Sequence, residues 1–346
     1  MDISNEDFAM YPAYLSLALP FVIYVIVLVF QNCKKINTIS KSVELNFTSH
    51  NEKHFFVSSY YPVTQGTQRH TVEMYHDRAR KLFKTFHGQI FIYTNKLGKS
   101  ILTKNLTVPP NFHFILKYES IYEIHRFKKY EKEYIEVDRI FKKKEKYPFT
   151  PYIGAIWNAK LHFLKETIEM IPHINSYFHW LDVGMIKTNE LIKRNLTWPN
   201  GKRMTKIFKK FNDQKILFSG KKTRYPINRN MENISIKTYN HITASYFGGP
   251  RDIILHLVDN YEKIHDYFVM RKQFVIREEY LLSTYSFLFP EHSMFIDMGG
   301  SKCWFWHSPS GYIADHNICN FRNVVLDFQT NGSFIKTVNV ALKSWD

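Results

Sequence analysis

Asp182 is the residue whose type and position most directly suggest chemistry. It follows the apolar run Tyr177–Leu181 and precedes Val183-Gly184. Such a run predicts a buried strand, and a carboxylate directly after it lies at the carboxyl edge of a sheet, where open α/β folds bind ligands. Carboxylate oxygens at that edge suit a hard cation that carries a diphosphate. The competing interpretation is that Asp182 only caps a turn beside Gly184.

The positive charge of the chain is concentrated directly after Asp182. The sequence has 47 Lys+Arg against 31 Asp+Glu, a net charge of +16, and the stretch from Lys187 to Arg224 alone contributes +10. A surface of this kind suits a nucleotide diphosphate or an acidic acceptor. It is equally typical of a solvated loop or of a patch on anionic lipid headgroups. Nucleic acid is disfavoured as a partner, because no zinc finger, P-loop or RNA-binding aromatic motif accompanies the charge.

For each of three other segments, a functional and a purely structural interpretation are both open. Gly248-Gly249 lies between a strand-like run and a helix signal, so the glycines either admit a ligand close to the backbone or form a tight turn. Glu278-Glu279 opens an amphipathic helix, a position that the helix dipole also favours for Glu. His307 lies in an aromatic stretch, either near a ligand or in the core.

The elements that must position these residues alternate between strand and helix, which predicts a parallel α/β sheet. The strand-like runs lie at 54–61, 90–93, 112–116, 177–181, 216–218 and 242–247. Helical periodicity is found at 72–86, 121–146, 156–171, 251–261 and 277–289. With 45% apolar and 23% charged residues, the composition excludes disorder, collagen-like repeats and coiled coil as the main architecture.

The amino-terminal part of the chain has a different character. Residues 11–30 contain no charge and are long enough to cross a bilayer, so they predict an uncleaved transmembrane anchor rather than a signal peptide with a basic front. Residues 1–10 are then a short tail, 31–52 a polar stem and 53–346 one domain.

The side of the membrane on which the domain lies is contested within the sequence. Lys34 and Lys35 follow the span, and by the positive-inside rule they favour a cytoplasmic domain. Five N-glycosylation sequons favour the lumen instead. They begin at Asn46, Asn105, Asn195, Asn233 and Asn331.

Two motifs carry a family resemblance. The segments Ile156-Trp157-Asn158-Ala159-Lys160 and Trp180-Leu181-Asp182-Val183-Gly184 resemble the I-W-x-x-K and W-[IL]-D-x-G motifs of the HtrL/WlaTC family of glycosyltransferase-like proteins. The resemblance runs from about residue 54 to 297. Its other matching segments are Val57–Tyr61 with Arg69, Ile90–Asn95, Phe247–Gly249 and Glu278-Glu279 with Pro290.

This resemblance implies an A-type glycosyltransferase fold, with one mixed, Rossmann-like α/β sheet and a nucleotide-sugar donor. Such enzymes commonly hold Mn²⁺ or Mg²⁺ through an Asp-x-Asp motif, of which this chain has Asp182 but Gly184 in place of the second carboxylate. The resemblance therefore implies a metal held by Asp182 with His307, or a metal-free reaction, and a catalytic base at Glu278 or Glu279. The residues implied for donor binding are Arg69, Thr94, Asn95, Lys160, Trp180, Gly248 and Gly249.

The leading expectation is a glycosyltransferase that is anchored in the Golgi or endoplasmic reticulum membrane, has its domain in the lumen and transfers a sugar to a glycan, glycoprotein or other hydroxyl acceptor. Lys160 and the basic stretch would neutralise the leaving diphosphate. The alternative is a catalytically inactive glycan- or nucleotide-binding protein on the same fold, which the missing second carboxylate motivates. A third interpretation places the domain in the cytoplasm with its basic patch on anionic lipid.

Overall fold

The computed structural model describes ten stretches of the chain. They are residues 54–63, 71–144, 150–171, 175–186, 189, 198–220, 242–273, 275–297, 324–327 and 336–339. The chain divides into two compact units, Met1–His50 and Asn51–Asp346, and all described residues belong to the second. The expected anchor at 11–30 therefore lies outside the described residues, as do Arg69 and His307. No helix in the described stretches has the length and apolar character needed to span a bilayer.

Strands and helices alternate along the domain. The strands are β1 (His54–Tyr60), β2 (Gln89–Thr94), β3 (Phe112–Ile115), β4 (Tyr177–Leu181), β5 (Ile216–Gly220), β6 (Ile242–Pro250), β7 (Ser293–Asp297), β8 (Val324–Asp327) and β9 (Lys336–Asn339). The helices are α1 (Val72–Thr85), α2 (Lys96–Thr103), α3 (His125–Lys129), α4 (Glu131–Lys144), α5 (Pro151–Asn158), α6 (Lys160–Met170), α7 (Gly201–Lys210), α8 (Arg251–Met270) and α9 (Glu278–Leu288).

The described strands form a single mixed sheet, which confirms the prediction of an α/β fold with a Rossmann-like mixed sheet. The strand order is β3-β2-β1-β4-β6-β5-β7-β8-β9. Strands β1 to β4 are parallel to one another, whereas β6 runs antiparallel to both of its neighbours, β4 and β5. The parallel pairing that the alternation of the first strands and helices predicts is confirmed for β1 to β4, and the antiparallel β6 makes the sheet mixed.

The first strands are rich in apolar residues, as expected of parallel strands with helices on both faces of the sheet. In β4 all five residues are buried, and in β1 only Ser59 is not fully buried. Alternate residues of β4 point to opposite faces. One face carries Trp180 and the other carries His179.

The face of His179 holds a closed group of polar side chains, named here the histidine cluster: His54, His179, Thr205 and Tyr246. His179 Nε2 is hydrogen-bonded to His54 Nδ1 at 3.0 Å, and His179 Nδ1 to the Tyr246 hydroxyl at 3.2 Å. His54 Nε2 continues the chain to the Thr205 hydroxyl of α7 at 2.8 Å. His179 is fully buried, so helix α7 closes this face of the sheet.

Three boundaries differ from the sequence prediction. Strand β6 extends through Gly248 and Gly249 to Pro250, so the expected glycine turn is the end of a strand. The helix expected over 156–171 is two helices, α5 and α6, that meet at Ala159. The charged segment 121–146 begins with a 3₁₀ turn and the short α3 before α4.

Candidate functional site

Asp182 directly follows β4 at the carboxyl edge of the sheet, as the sequence predicts. Its backbone N–H donates to the Ser245 carbonyl of β6 at 2.9 Å, and its own carbonyl accepts from the Met185 N–H at 2.9 Å, which closes a turn. The carboxylate oxygen Oδ1 accepts from Trp180 Nε1 at 2.7 Å and from Lys160 Nζ at 2.9 Å. Asp182 therefore does form a turn, and its carboxylate is also held in one orientation.

Lys160 opens α6, at the break that follows Ala159. Its ammonium group donates to Asp182 Oδ1, to Glu278 Oε1 at 2.7 Å and to the Ala244 carbonyl at 2.8 Å. The Lys160 side chain is only 4% exposed and lies over the Trp180 ring. Burial opposes the charge of Lys160, but the two carboxylates outweigh burial and hold its pKa above the ordinary value. All three donors of the ammonium are used, which leaves none for the direct diphosphate contact that the sequence suggested.

Glu278 is the first residue of α9 and is buried against Lys160. Burial raises the pKa of Glu278 to about 7, against the lowering effect of the Lys160 ammonium. Glu279, the next residue, is only half-buried. Of the two glutamates expected to act as a base, Glu279 is thus the more accessible.

Lys160, Asp182 and Glu278 are named here the charge triad. Two carboxylates share one ammonium, so the triad carries a net negative charge when both carboxylates are ionised. Asp182 is 32% exposed, and within the described residues its second oxygen, Oδ2, has no hydrogen-bond partner. Asp182 Oδ2 is therefore the atom through which the triad can meet a ligand.

The position of Asp182 in the sheet is that of a ligand site. The chain passes from β1 outward to β2 and β3, and then returns to place β4 on the other side of β1. Open α/β sheets bind ligands at such a switch point, beyond the carboxyl ends of the strands. Two buried hydroxyls near this edge, those of Tyr61 after β1 and Ser245 in β6, lack a hydrogen-bond partner among the described residues. Orphaned buried polar atoms are rare and indicate a missing polar partner.

Gly184, which stands where an Asp-x-Asp motif would have its second carboxylate, lies close to two side chains of α1. A Cβ added to Gly184 would lie 3.2 Å from the Tyr75 ring and 3.5 Å from an Arg78 guanidinium nitrogen. Both Tyr75 and Arg78 belong to α1, and Arg78 is buried. The space beside Gly184 thus holds a cation that sequence reasoning missed, because no motif links α1 to the turn at Asp182.

The other residues predicted for donor binding have structural partners. Trp180 is buried and donates its N–H to Asp182. Thr94 ends β2 and bonds to the Tyr60 carbonyl, and Asn95 caps α2 by accepting from the Gly98 N–H at 2.7 Å. Thr94 and Asn95 share the edge of the sheet with Asp182, two strands away.

Gly248 and Gly249 follow Ser245 by three and four residues in β6 and pair with the first half of β4, away from Asp182. Gly248 faces His179 across the β4–β6 pair, and an added Cβ would lie 1.9 Å from His179 Nδ1. A Cβ on Gly249 would lie 3.2 Å from the Lys215 carbonyl. The structure explains both glycines by packing, and neither lies beside Asp182.

The described part of the basic stretch does not adjoin the charge triad. Its helix, α7, packs on the histidine face through Thr205, whereas Trp180 lies on the other face. The exposed lysines of α7 are Lys202, Lys206, Lys209 and Lys210. These lysines therefore form a surface of their own, and Arg78 is the cation found beside the Asp182 turn.

Asp182 is the carboxylate among the described residues whose position would suit contact with a metal ion. No group of three His, Cys, Asp or Glu side chains in this part of the chain could hold an ion. Mg²⁺, however, is commonly held by one or two carboxylates, with substrate phosphates and water as its other ligands. Asp182 Oδ2, which has no hydrogen-bond partner within the described stretches, fits this arrangement of one carboxylate with phosphates and water.

Comparisons with known proteins give a limited result. No family model matches the chain, and a search of curated proteins finds no match. The chain is similar to the structure of mouse xyloside xylosyltransferase 1 in its apo form, at 10% identity over 81% of this chain and 99% of that chain, with a TM-score of 0.37. It is also similar to core-mannan synthase A of Aspergillus fumigatus in an Mn/GDP form, at 9% identity over 71% of this chain and 73% of that chain, with a TM-score of 0.36. Both scores are below 0.5, so the function proposed next depends on the site.

Proposed function

We propose that this chain is a nucleotide-sugar-dependent glycosyltransferase that acts on a hydroxyl acceptor. The observation that carries the proposal is Asp182: a carboxylate at the switch point of the sheet, fixed through one oxygen and open through the other. The likeness of the Ile156–Lys160 and Trp180–Gly184 segments to the HtrL/WlaTC motifs supports glycosyl transfer over other nucleotide chemistry.

In the proposed reaction, the acceptor oxygen forms a bond to the anomeric carbon of the donor sugar, and the bond from that carbon to the diphosphate oxygen breaks. The diphosphate leaves with the electron pair, and a base removes the acceptor proton. Glu279 suits the base better than Glu278, because Glu278 is buried and already holds Lys160. Arg78 offers fixed positive charge near the leaving diphosphate, and such preorganised charge is a large source of rate enhancement.

Asp182 would hold Mn²⁺ or Mg²⁺ through Oδ2, with the donor diphosphate as the other anionic ligand. A bound divalent ion neutralises charge that develops on the leaving group. Lys160 and Trp180 would keep the Asp182 carboxylate in the orientation that this contact needs.

The test is calorimetric binding of UDP and GDP in the presence of Mn²⁺ to the purified full-length protein. Asp182→Asn is expected to weaken binding of the preferred nucleotide by at least about tenfold, since a charged contact contributes about 1.5–3 kcal/mol. The matched control is Asp252→Asn, the same change at a 77% exposed aspartate of α8, which should leave binding unchanged. Equal binding by wild type and Asp182→Asn would contradict the proposed role of Asp182.

A screen for hydrolysis of nucleotide sugars separates catalysis from binding. Turnover by wild type that is lost in Asp182→Asn supports the enzyme. Nucleotide binding without turnover of any donor would instead favour the non-catalytic binding protein, the alternative that the missing second carboxylate motivates.

We also propose that residues 11–30 anchor the domain in the Golgi or endoplasmic reticulum membrane, with the domain in the lumen. Asn105 opens the one sequon that falls within the described residues, and it is exposed in the turn after α2 with φ 56°. A glycan-removing enzyme should therefore shift the electrophoretic mobility of the protein expressed in a eukaryotic cell, and the shift should shrink by one step in Asn105→Gln.

The matched control for Asn105→Gln is Asn212→Gln. Asn212 is also exposed and has φ 55°, but it belongs to no sequon. This control should retain the full shift. No shift in any form of the protein would contradict the placement in the lumen and favour the cytoplasmic interpretation.

A further inference from the structure

Asn158 is a fully buried amide at the end of α5, and it joins three parts of the chain. Its side-chain nitrogen Nδ2 donates to the Gly154 carbonyl of its own helix at 2.8 Å and to the Val275 carbonyl at 2.9 Å. Its side-chain oxygen Oδ1 accepts from the Tyr261 hydroxyl of α8 at 2.5 Å. An amide can make about four hydrogen bonds, so Asn158 uses nearly its full capacity without contact to water.

The two segments that Asn158 joins lead directly into the charge triad. Lys160 lies two residues after Asn158, and Glu278 lies three residues after Val275. The Lys160 ammonium meets the Glu278 carboxylate at 2.7 Å. The Asn158–Val275 hydrogen bond therefore joins the end of α5 to the segment before α9. A few residues further along each of these segments, Lys160 and Glu278 form their ion pair.

Packing around Asn158 holds the same two segments together. A Cβ added to Gly154 in α5 would lie 2.7 Å from the Ile276 side chain and 3.2 Å from Ile276 Cα. Val275 and Ile276 are both fully buried. The segment before Glu278 thus lies close against α5. The Asn158 side chain adds a hydrogen bond between the two.

The charged and titratable groups that influence Glu278 come from five elements. Lys160 of α6 contacts it directly, while Asp182 after β4 and Glu279 of α9 act on it through their charges. Tyr261 of α8 and Tyr134 of α4 are electrostatically coupled to it, and burial keeps the pKa of both tyrosines well above the ordinary value. Tyr261 therefore stays protonated and can donate to Asn158.

We propose that Asn158 is a positioning residue of the glycosyltransferase site proposed above: its amide fixes the start of α9 against the start of α6, so that Lys160 is shared between Asp182 and Glu278 and the Asp182 carboxylate faces the donor in one orientation. Removal of the amide lets the start of α9 move away from Lys160. The ammonium then stays with Asp182 and the Ala244 carbonyl, and Glu278 loses its counter-charge within a buried space.

The test measures the pH at which Glu278 titrates, and it does not depend on activity. Free energies of unfolding of the purified full-length protein are measured by urea denaturation from pH 4 to 8.5. The contribution of Glu278 is isolated by subtracting the profile of the same chain with Glu278→Gln. Because Glu278 binds its proton more tightly in the folded state, this contribution declines as the pH rises from the unfolded pKa of about 4.5 to the folded pKa of about 7. Asn158→Ala is expected to raise the upper end of the decline by about one pH unit and its midpoint by about half a unit, since loss of a nearby opposite charge raises a carboxyl pKa.

The matched control is Thr85→Val in α1, which also removes buried hydrogen bonds, to the Lys81 carbonyl and from Trp198 Nε1, but on the other face of the sheet. This variant is expected to lower stability at every pH without moving the midpoint. An unchanged midpoint in Asn158→Ala, or an equal movement in Thr85→Val, would overturn the positioning role.

A milder variant covers the case in which Asn158→Ala does not fold. Tyr261→Phe removes one bond to Asn158 and leaves the bond to Val275, so it should move the midpoint in the same direction by less, and no movement would then overturn the proposal. A failure to bind UDP or GDP would leave this result intact and would count against the proposed function alone.

Discussion

The charge triad and the histidine cluster both contact strands β4 and β6, but they differ in charge and in access. The triad holds two carboxylates and an ammonium, and Asp182 at its edge is a third exposed. In the histidine cluster, burial, and then the neighbouring His54, holds the pKa of His179 well below the ordinary value, so His179 is neutral. The histidine side chains of this cluster are closed off by α7.

This comparison separates two reasons for placing polar groups in a core. The histidine cluster satisfies its own hydrogen bonds in a chain from Tyr246 to Thr205 and offers nothing to a ligand. The triad instead leaves one carboxylate oxygen without a partner among the described residues. An accessible, incompletely satisfied charge therefore indicates a site better than burial of polar residues does.

Among the variants that separate the two clusters, Lys160→Met in the charge triad is expected to cause the largest loss of unfolding free energy. Removal of the ammonium leaves Asp182 and Glu278 without their shared counter-charge, and removal of one partner of a buried ion pair costs about 3–5 kcal/mol. The loss in urea unfolding free energy should be larger at pH 8 than at pH 5, where Glu278 is protonated. Lys165→Met, a change at a half-buried lysine of the same helix, is the control. A loss that is independent of pH would contradict the assigned role of Lys160.

Gly248→Ala is expected to break the histidine cluster and leave the triad intact. The new methyl group would collide with His179, and overpacking of this kind costs about 3 kcal/mol. The melting temperature should fall, while nucleotide affinity measured below the transition should stay as in wild type. A loss of affinity at unchanged stability would show that Gly248 belongs to the ligand site after all.

The two clusters impose opposite pH dependences, and Glu278→Gln should reveal this. The raised pKa of Glu278 makes the unfolding free energy fall as the pH rises from about 4.5 to about 7, whereas the lowered pKa of His179 makes it rise up to about pH 6.5. Without Glu278, the opposing contribution disappears and stability should rise with pH over this interval. A profile identical to that of wild type would mean that Glu278 does not titrate there.

The smallest effect is expected from Tyr246→Phe, which removes one hydroxyl from the histidine cluster. The hydrogen bond to His179 is lost without a change in shape, so the cost should be about 1 kcal/mol by urea denaturation. Nucleotide affinity should not change. A cost well above that of Gly248→Ala would show that the cluster depends on its hydrogen bonds more than on its packing.

Parts of this arrangement could be predicted from the sequence, and the reasons are local. The strand before Asp182 is a short run of large apolar and aromatic residues around His179, and Gly184 indicates the turn that ends it. The reversal of β6 could not be predicted, because a strand buried on both faces has the same composition in either direction. The partnership of Lys160 with Glu278 joins residues that are more than a hundred positions apart and leaves no local signal. The break between α5 and α6 at Ala159 also leaves no signal in the sequence, since neither Pro nor Gly lies at this position.

The reversed strand β6 also has a consequence for how the domain is built. Among the described strands it alone joins the half of the sheet that contains β4 to the half that contains β5. Its pairing with β4 closes a loop of more than sixty residues, and such non-local contacts form slowly during folding. Since the Ala244 carbonyl that receives Lys160 and the Ser245 carbonyl that fixes Asp182 both lie on β6, the binding edge can be completed only when the two halves are joined. In a refolding experiment, recovery of nucleotide binding should therefore lag behind the return of secondary structure and report the last step of assembly.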